Sequence, residues 1–452
     1  MAAERLVVIG GNAAGMSAAS RARRLNPKLE IVVLEKGDTV SYGTCGLAYL
    51  ISGTVRRAED LIVYTPEFFR RQRDIEVRTG HQATEIVPGK KQVEVRSGQD
   101  GYSLNYDKLV LTAGGAPAET IPGADGPAVF TCNDLAGTLA LRRFLEASGP
   151  RRAVIIGAGY IGLEVAEALR ARNLEVTILE RSATLLEDFE PEIGQWVQER
   201  LRQNGIQVAF DAPVKAIESS RTGPASVLYG AQQAMAADVV VLASGIVPRA
   251  ALAARAGAQL GASGAIRTDD RQQTNLPSVY AAGDCVETLH LVTGGPAYLP
   301  LGTTANKQGR VAGENAAGGR ASFPGVVGTL VTKVFDLEVG RTGLSEESAR
   351  AAGFSPVGAM VEARSQAKYL SGKPLRAKLV ADRASGRLLG GQLAGQEGAA
   401  RRVDVLATAL TARMTLEDFV HLDLGYAPPF GPVYDPLLVA AWETLKRLGR
   451  RR

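Results

Sequence analysis

Histidine, cysteine and tryptophan are scarce in this chain of 452 residues, with three, three and two copies. Cys45, Cys132 and Cys285 are too few for a disulfide framework, so a reducing, cytoplasmic compartment is expected. His81, His290 and His421 stand in no recognised catalytic motif; they read as ordinary exposed or hydrogen-bonded side chains, and no metal centre is expected. No apolar run is long enough to span a bilayer, so no membrane role is expected. Long lysine- or arginine-rich runs are also missing and the net charge is only +5, so nucleic acid is not an expected partner. Arg450-Arg451-Arg452 reads as a solvated end. Met1 to Glu4 lead straight into an apolar strand, with no basic leader or cleavage site. What remains is 45% hydrophobic and 22% charged, a globular composition long enough for two or three domains. The small cationic excess suits anionic small ligands.

The strongest signal is a pattern that occurs twice. Leu6-Val7-Val8-Ile9 ends in Gly10-Gly11-Asn12-Ala13-Ala14-Gly15; a helix follows to Arg24, then Ile31-Val32-Val33-Leu34 and Glu35. Strand, glycine turn, helix, strand and acid form the dinucleotide fingerprint. The first glycine makes the turn, the last lets helix pack on strand, and the acid can hold a ribose hydroxyl. Asn12 replaces the middle glycine and still tolerates unusual backbone angles. The second copy is complete: Ala153-Val154-Ile155-Ile156, Gly157-Ala158-Gly159-Tyr160-Ile161-Gly162, a helix to Arg172, then Val176-Thr177-Ile178-Leu179 and Glu180. Two copies imply two dinucleotides, one prosthetic and one exchangeable. Glu180 favours the unphosphorylated ribose of NADH, while the neighbouring Arg181 offers a cation to the 2′-phosphate of NADPH.

The expected fold is therefore α/β, with two Rossmann-like halves and a third, α+β domain. The divisions are 1–120 with 246–323 for the first nucleotide, 121–245 for the second, and 324–452 for the rest. Strands ending at Gly114-Gly115 and Gly245 close the two halves. Val279-Tyr280-Ala281-Ala282 ends in Gly283-Asp284, where an aspartate after a strand and next to a helix start can bind a sugar hydroxyl. Beyond Phe323, short strands are expected at Val326-Val327-Gly328, Leu330–Val334 and Leu337–Gly340. A helix capped by Ser345, a hairpin about Ser385-Gly386, and helices over 403–414 and 437–448 follow.

Ser41-Tyr42-Gly43-Thr44-Cys45-Gly46-Leu47-Ala48-Tyr49 lies just after the first fingerprint. Gly43 and Gly46 would allow close approach by a planar ligand, and the run from Leu47 to Ile51 starts a helix. A thiol at a helix N-terminus faces unpaired N–H groups, which favour the reactive thiolate. The competing reading is a buried structural thiol.

With these motifs in order, the chain resembles the flavin-dependent pyridine nucleotide-disulfide oxidoreductases, and in particular their single-cysteine branch. The two fingerprints, residues 41–49, 274–284, 301–309 and 426–430 carry the likeness. It implies FAD held by Gly10, Asn12, Ala13, Ala14, Gly15, Glu35, Lys36, Cys45, Ala83, Ala113, Gly114, Asp284, Ala305 and Tyr426. It places NAD(P)H on Gly157, Gly159, Tyr160, Ile161, Gly162, Glu180 and Gly245, with Tyr160 gating the flavin face. Coenzyme A is implied as substrate, lined by Ser17, Arg21, Arg24, Ser41, Thr44, Arg73 and Asn306. Ser17, Arg21 and Arg24 share one helix face, where two guanidinium groups could clamp phosphates. Cys45 is the implied redox centre. Tyr369 and Tyr426 are implied catalytic acids from the opposite subunit, which would make the homodimer obligatory. Two departures matter. Leu50 stands where dithiol relatives carry a second cysteine, so Cys45 must cycle through a mixed disulfide or a sulfenic acid. Ala13 stands where oxidases and peroxidases of the branch carry a histidine. The resemblance thus favours coenzyme A disulfide as substrate. Alternatives are coenzyme A persulfide or polysulfide reduction, NADH oxidase or peroxidase chemistry, and electron transfer to a small redox protein.

Overall fold

The computed structural model describes residues 4–118, 120–219 and 224–449. The expected leaderless start at residues 1–3 and the solvated arginine end at 450–452 lie outside them.

The apolar tetrads become the centres of two parallel sheets. Arg5–Ile9 pairs with Glu30–Leu34 on one side and Lys108–Leu111 on the other. Val279–Ala281 and Glu76–Arg78 complete a five-stranded sheet at its two edges. The second sheet is built alike: Arg152–Ile156 lies between Glu175–Leu179 and Val239–Leu242, with Ile206–Ala209 and Val129–Thr131 outside. Leu6, Val7 and Val8 are fully buried, as is Ile155. A parallel strand covered on both faces needs such an unbroken apolar run. Each half has a three-stranded antiparallel annex, residues 81–105 in the first and Val214–Glu218, Ala225–Tyr229 and Gln233–Ala237 in the second. The chain crosses between the halves at Gly115–Pro117 and Ile246–Pro248, which pair antiparallel.

The helix after the first glycine turn, Ala13–Leu25, packs against Gly302–Ala316. The approach is backbone to backbone: a Cβ on Gly309 would lie 2.2 Å from the Ala14 carbonyl oxygen, and one on Gly313 2.1 Å from that of Ala18.

The third domain is a five-stranded antiparallel sheet in the order Leu330–Val334, Leu337–Gly343, Leu388–Gly395, Pro374–Asp382, Pro356–Arg364. Helices Ala399–Thr411 and Pro436–Arg447 pack on it. The architecture is the expected α/β pair with an α+β third domain. The hairpin turns at Ser385-Gly386, where Asp382 accepts from the Ser385 N–H, and Ser345 caps helix Glu346–Ala351 through the Ser348 N–H. Two local expectations fail. Val326-Val327-Gly328 forms no strand; Val326 makes one isolated bridge to His290, and Gly328 breaks the run at φ +70°. No helix begins at Asp284, because the chain turns at Gly283, φ +83°.

A buried ionic knot ties the second nucleotide half to the third domain. Lys378 Nζ lies 2.8 Å from Glu190 Oε2 and 3.0 Å from Glu346 Oε1. The Glu190 N–H donates to Gln392 Oε1 at 2.7 Å.

Candidate active site

Both glycine turns open on one cavity of about 1860 Å³, at the carboxyl ends of the parallel strands where such sheets bind ligands. The two turns share the build of their first and last glycines. Gly10 and Gly157 take φ +106° and +104°, and a Cβ on Gly10 would meet the Thr112 carbonyl oxygen at 2.2 Å. Gly15 and Gly162 sit against the carbonyl oxygens of Gly10 and Gly157, at 1.8 and 2.1 Å from the Cβ each lacks. Glu35 accepts from the N–H groups of Gly11 and Gly37, both at 2.8 Å. Glu180 accepts from those of Ala158 at 2.7 Å and Ser182 at 2.9 Å. Each carboxylate is thus fixed at the end of its second strand, with acceptor capacity left for a ribose. A Cβ at Gly159 would meet nothing, which is the open cradle a pyrophosphate needs at a helix N-terminus. The residues present fit two dinucleotides.

Asn12 takes φ −109° and ψ −147°, outside the regular helical and extended regions. Its side chain accepts from the Tyr42 N–H at 3.2 Å and donates to Thr44 Oγ1 at 3.0 Å. The amide fastens the cysteine loop to the first glycine turn.

Cys45 is exposed on the same cavity, within the single turn Thr44–Gly46. The following helix is only Leu47–Ser52, ended by Gly53 at φ +86°. The Gly46 N–H is already bonded to the Gly43 carbonyl and that of Leu47 to Thr44. The expected depression of the thiol is therefore not found. Desolvation by the cavity walls pushes Cys45 above its ordinary value, the Glu164 carboxylate adds to this, and its own N–H opposes it. Gly46, too, has a different reason: a Cβ there would lie 2.3 Å from Leu61 Cδ2, so the glycine serves packing.

Of the expected flavin residues, Gly10, Asn12, Ala13, Ala14, Glu35, Lys36, Cys45, Ala83, Ala113, Gly114, Asp284 and Ala305 line the cavity. Gly15 lies beneath the turn. Burial raises the Asp284 carboxyl. Gly157, Gly159, Tyr160, Ile161, Glu180 and Gly245 line the second half, with Gly162 packed behind. Tyr369 and Tyr426 do not line this cavity. They stand side by side on the surface of the third domain, 73% and 47% exposed.

Of the expected coenzyme A residues, Thr44 lines the cavity, whereas Ser17, Arg21, Arg24, Ser41, Arg73 and Asn306 do not, and the three arginines lie near one another. Ser17 Oγ donates to Asn306 Oδ1 at 2.7 Å. Arg21 is paired with Glu314 at 2.6 Å. The Arg24 guanidinium is lowered by burial and by the charges of Arg310, Arg73 and Arg21. Arg73 donates to Ser20 Oγ at 2.6 Å and lies 5.0 Å from the Tyr64 ring centroid. Ser41 adopts φ +50°, and its N–H donates to the Gly11 carbonyl.

Four residues escaped the sequence reading. Glu164 accepts from Thr332 Oγ1 at 3.1 Å, and burial raises its carboxyl. Tyr298 Oη donates to the Asp284 carbonyl at 2.9 Å. Arg341 reaches the cavity from the third domain, and Arg310 completes the arginine cluster. Only Glu164 had a local signal, two residues beyond the second fingerprint on the helix it opens; the others depend on tertiary contacts.

Comparison with known proteins agrees with this geometry. The family model "Pyridine nucleotide-disulphide oxidoreductase" matches residues 4–309, and that for the family's dimerisation domain matches 330–436. The chain belongs to this family. It is accordingly an oxidoreductase that uses FAD and a pyridine nucleotide. It is 39% identical over 439 residues, 96% of this chain and 97% of the other, to a coenzyme A-dependent NAD(P)H sulfur oxidoreductase of Pyrococcus abyssi. Identity is 29% over 432 residues, 94% and 96% of the two chains, with a coenzyme A disulfide reductase of Staphylococcus haemolyticus. A solved NAD-dependent persulfide reductase from A. fulgidus superposes with a TM-score of 0.95 at 39% identity, covering 98% of this chain and 84% of that one.

Proposed function

We propose that this protein uses NAD(P)H to reduce a sulfur–sulfur bond carried by coenzyme A, with Cys45 as the exchanging sulfur. The observation that carries the reading is the position of Cys45, exposed on the cavity that joins both nucleotide turns. Flavin, when bound, supplies hydride acceptance on one side and delivery of an electron pair to sulfur on the other. The chain's residues do the rest. Glu35 and Glu180 seat the riboses, and the arginine face of Arg24, Arg73 and Arg310 gathers phosphates by charge. Asn12 and Thr44 hold the cysteine loop in register.

The Cys45 thiolate attacks the sulfur attached to coenzyme A, giving Cys45–S–S–CoA and expelling the other sulfur as a thiolate. Two electrons then break this bond, leaving the Cys45 thiolate and a coenzyme A thiolate that takes up one proton. Coenzyme A disulfide and coenzyme A persulfide give the same adduct and differ only in what leaves, a second coenzyme A or hydrosulfide. The relatives at 39% identity bear sulfur and persulfide names, against 29% for the disulfide reductase. These comparisons favour the persulfide or polysulfide substrate over the disulfide. Tyr369 and Tyr426, delivered by a second copy, would protonate the leaving sulfur, since a phenol can donate a hydrogen bond to it.

The test is steady-state turnover of both coenzyme A substrates, with intact-mass analysis of the oxidised protein. Cys45→Ser should retain flavin reduction by NADH and lose sulfur turnover at least about a hundredfold, as expected when a covalent nucleophile is removed. Undiminished turnover in that variant would refute the reading.

A further inference from the structure

The second glycine turn carries a tyrosine that the third domain holds by hand. Tyr160 follows Gly159 directly and begins the helix Tyr160–Ala171. Its ring meets Phe189 edge-on, 6.3 Å between centroids, and lines the cavity. Its hydroxyl accepts from Arg341 Nε at 3.2 Å. Arg341 stands on Leu337–Gly343, a strand of the third domain, and its side chain is only 13% exposed. The same guanidinium donates through Nη2 to Asp188 Oδ2 at 2.6 Å. Asp188 is held in turn, because its carbonyl accepts from Gln392 Nε2 at 3.2 Å. Two residues on, Glu190 enters the buried pair with Lys378. The arginine therefore has a second partner besides the ring, the 62% exposed Asp188 carboxylate.

We propose that Arg341 is a positioning residue: it holds the Tyr160 ring in the second nucleotide pocket, in competition with the entering dinucleotide. Binding then breaks the Arg341–Tyr160 hydrogen bond, and releasing the ring in advance removes that cost. The Asp188 pair keeps the guanidinium in place while the ring is away, so the ring returns when the dinucleotide leaves. The rival role, a guanidinium that itself grips the dinucleotide, predicts the opposite sign.

The inference rests on the second pocket taking the dinucleotide, so NAD⁺ binding to the wild-type holoenzyme is measured first by calorimetry. Absence of wild-type binding would sink both that reading and this one. Given binding, Arg341→Gln and Tyr160→Phe should each lower the Kd for NAD⁺ about three- to tenfold, the worth of one net hydrogen bond. The double variant should bind no tighter than the better single one. Arg341→Lys keeps a cation for Asp188 without the second arm of the fork, so it should bind NAD⁺ like Arg341→Gln while melting closest to wild type. Independently of any ligand, the melting-temperature changes of Arg341→Gln and Tyr160→Phe should be non-additive. Weaker NAD⁺ binding in Arg341→Gln, an unchanged Kd, or full additivity in both measurements would overturn the proposal.

Discussion

The sulfur of Cys45 reacts only as thiolate, and its surroundings in the folded chain work against that form. Desolvation and the Glu164 carboxylate both raise the thiol, so at any pH below its pKa a smaller fraction is ionised than for a free cysteine. The rate of alkylation by iodoacetamide should climb with pH through and beyond the free-thiol range. Glu164→Gln removes a facing negative charge and should shift that profile toward lower pH, read as faster labelling at pH 7. Cys132 and Cys285 are buried, and burial pushes their thiols to about 12 and about 11. Peptide mapping after brief labelling of the native protein should therefore recover Cys45 alone. Label on either buried cysteine, or an unmoved Glu164→Gln profile, would contradict this electrostatic account. Hydrogen-bond donors of bound ligands are then left to stabilise the thiolate during turnover, since the short helix after it does not.

At the scale of elements, the first nucleotide turn is supported by two helices that touch along their backbones. Gly309 and Gly313 lie one helical turn apart on Gly302–Ala316 and face Ala14 and Ala18 of Ala13–Leu25. Alanine is ordinarily the better helix former by about 1 kcal/mol. Here its methyl would meet a carbonyl oxygen, so the helices must part. Gly309→Ala should destabilise the protein by about 1–3 kcal/mol, the usual cost of overpacking, and weaken retention of FAD because Ala14 belongs to the turn itself. Chemical denaturation and the flavin content after gel filtration check this. A variant as stable and as yellow as wild type would mean that the spacing between these helices is slack. The strand, turn, helix and acid order was readable because spacing alone encodes it. The reason for Gly46 was not, since Leu61 reaches it only after folding.

The whole molecule presents an apolar, aromatic face. Tyr369, Leu370, Tyr426, Phe430, Val433 and Tyr434 are all substantially exposed on the third domain, Phe430 by 80%. This is the domain matched by the family's dimerisation model. Such a face costs solvation unless covered, and a second copy is the occupant we propose. Phe430→Glu should place a charge in that interface and convert the protein to a monomer by light scattering. Flavin reduction by NADH should persist, because both nucleotide turns lie within one chain, whereas sulfur turnover should fall if Tyr369 and Tyr426 act across subunits. A monomeric variant with full sulfur turnover would remove the two tyrosines from the mechanism.

By itself the sequence determined the two nucleotide-binding halves, the acids that end their second strands, and the isolation of Cys45 from any partner thiol. Those features are written in local spacing: apolar tetrads, glycine offsets, and Leu50 at the position of an absent cysteine. Tertiary structure alone decided that Asn12 ties the cysteine loop to the glycine turn, that Arg21 is taken by Glu314, that Glu164 faces the thiol and that Arg341 reaches Tyr160. Each depends on side chains from separate elements meeting, and the charge that a thiol or phenol feels is set by those meetings rather than by its neighbours along the chain.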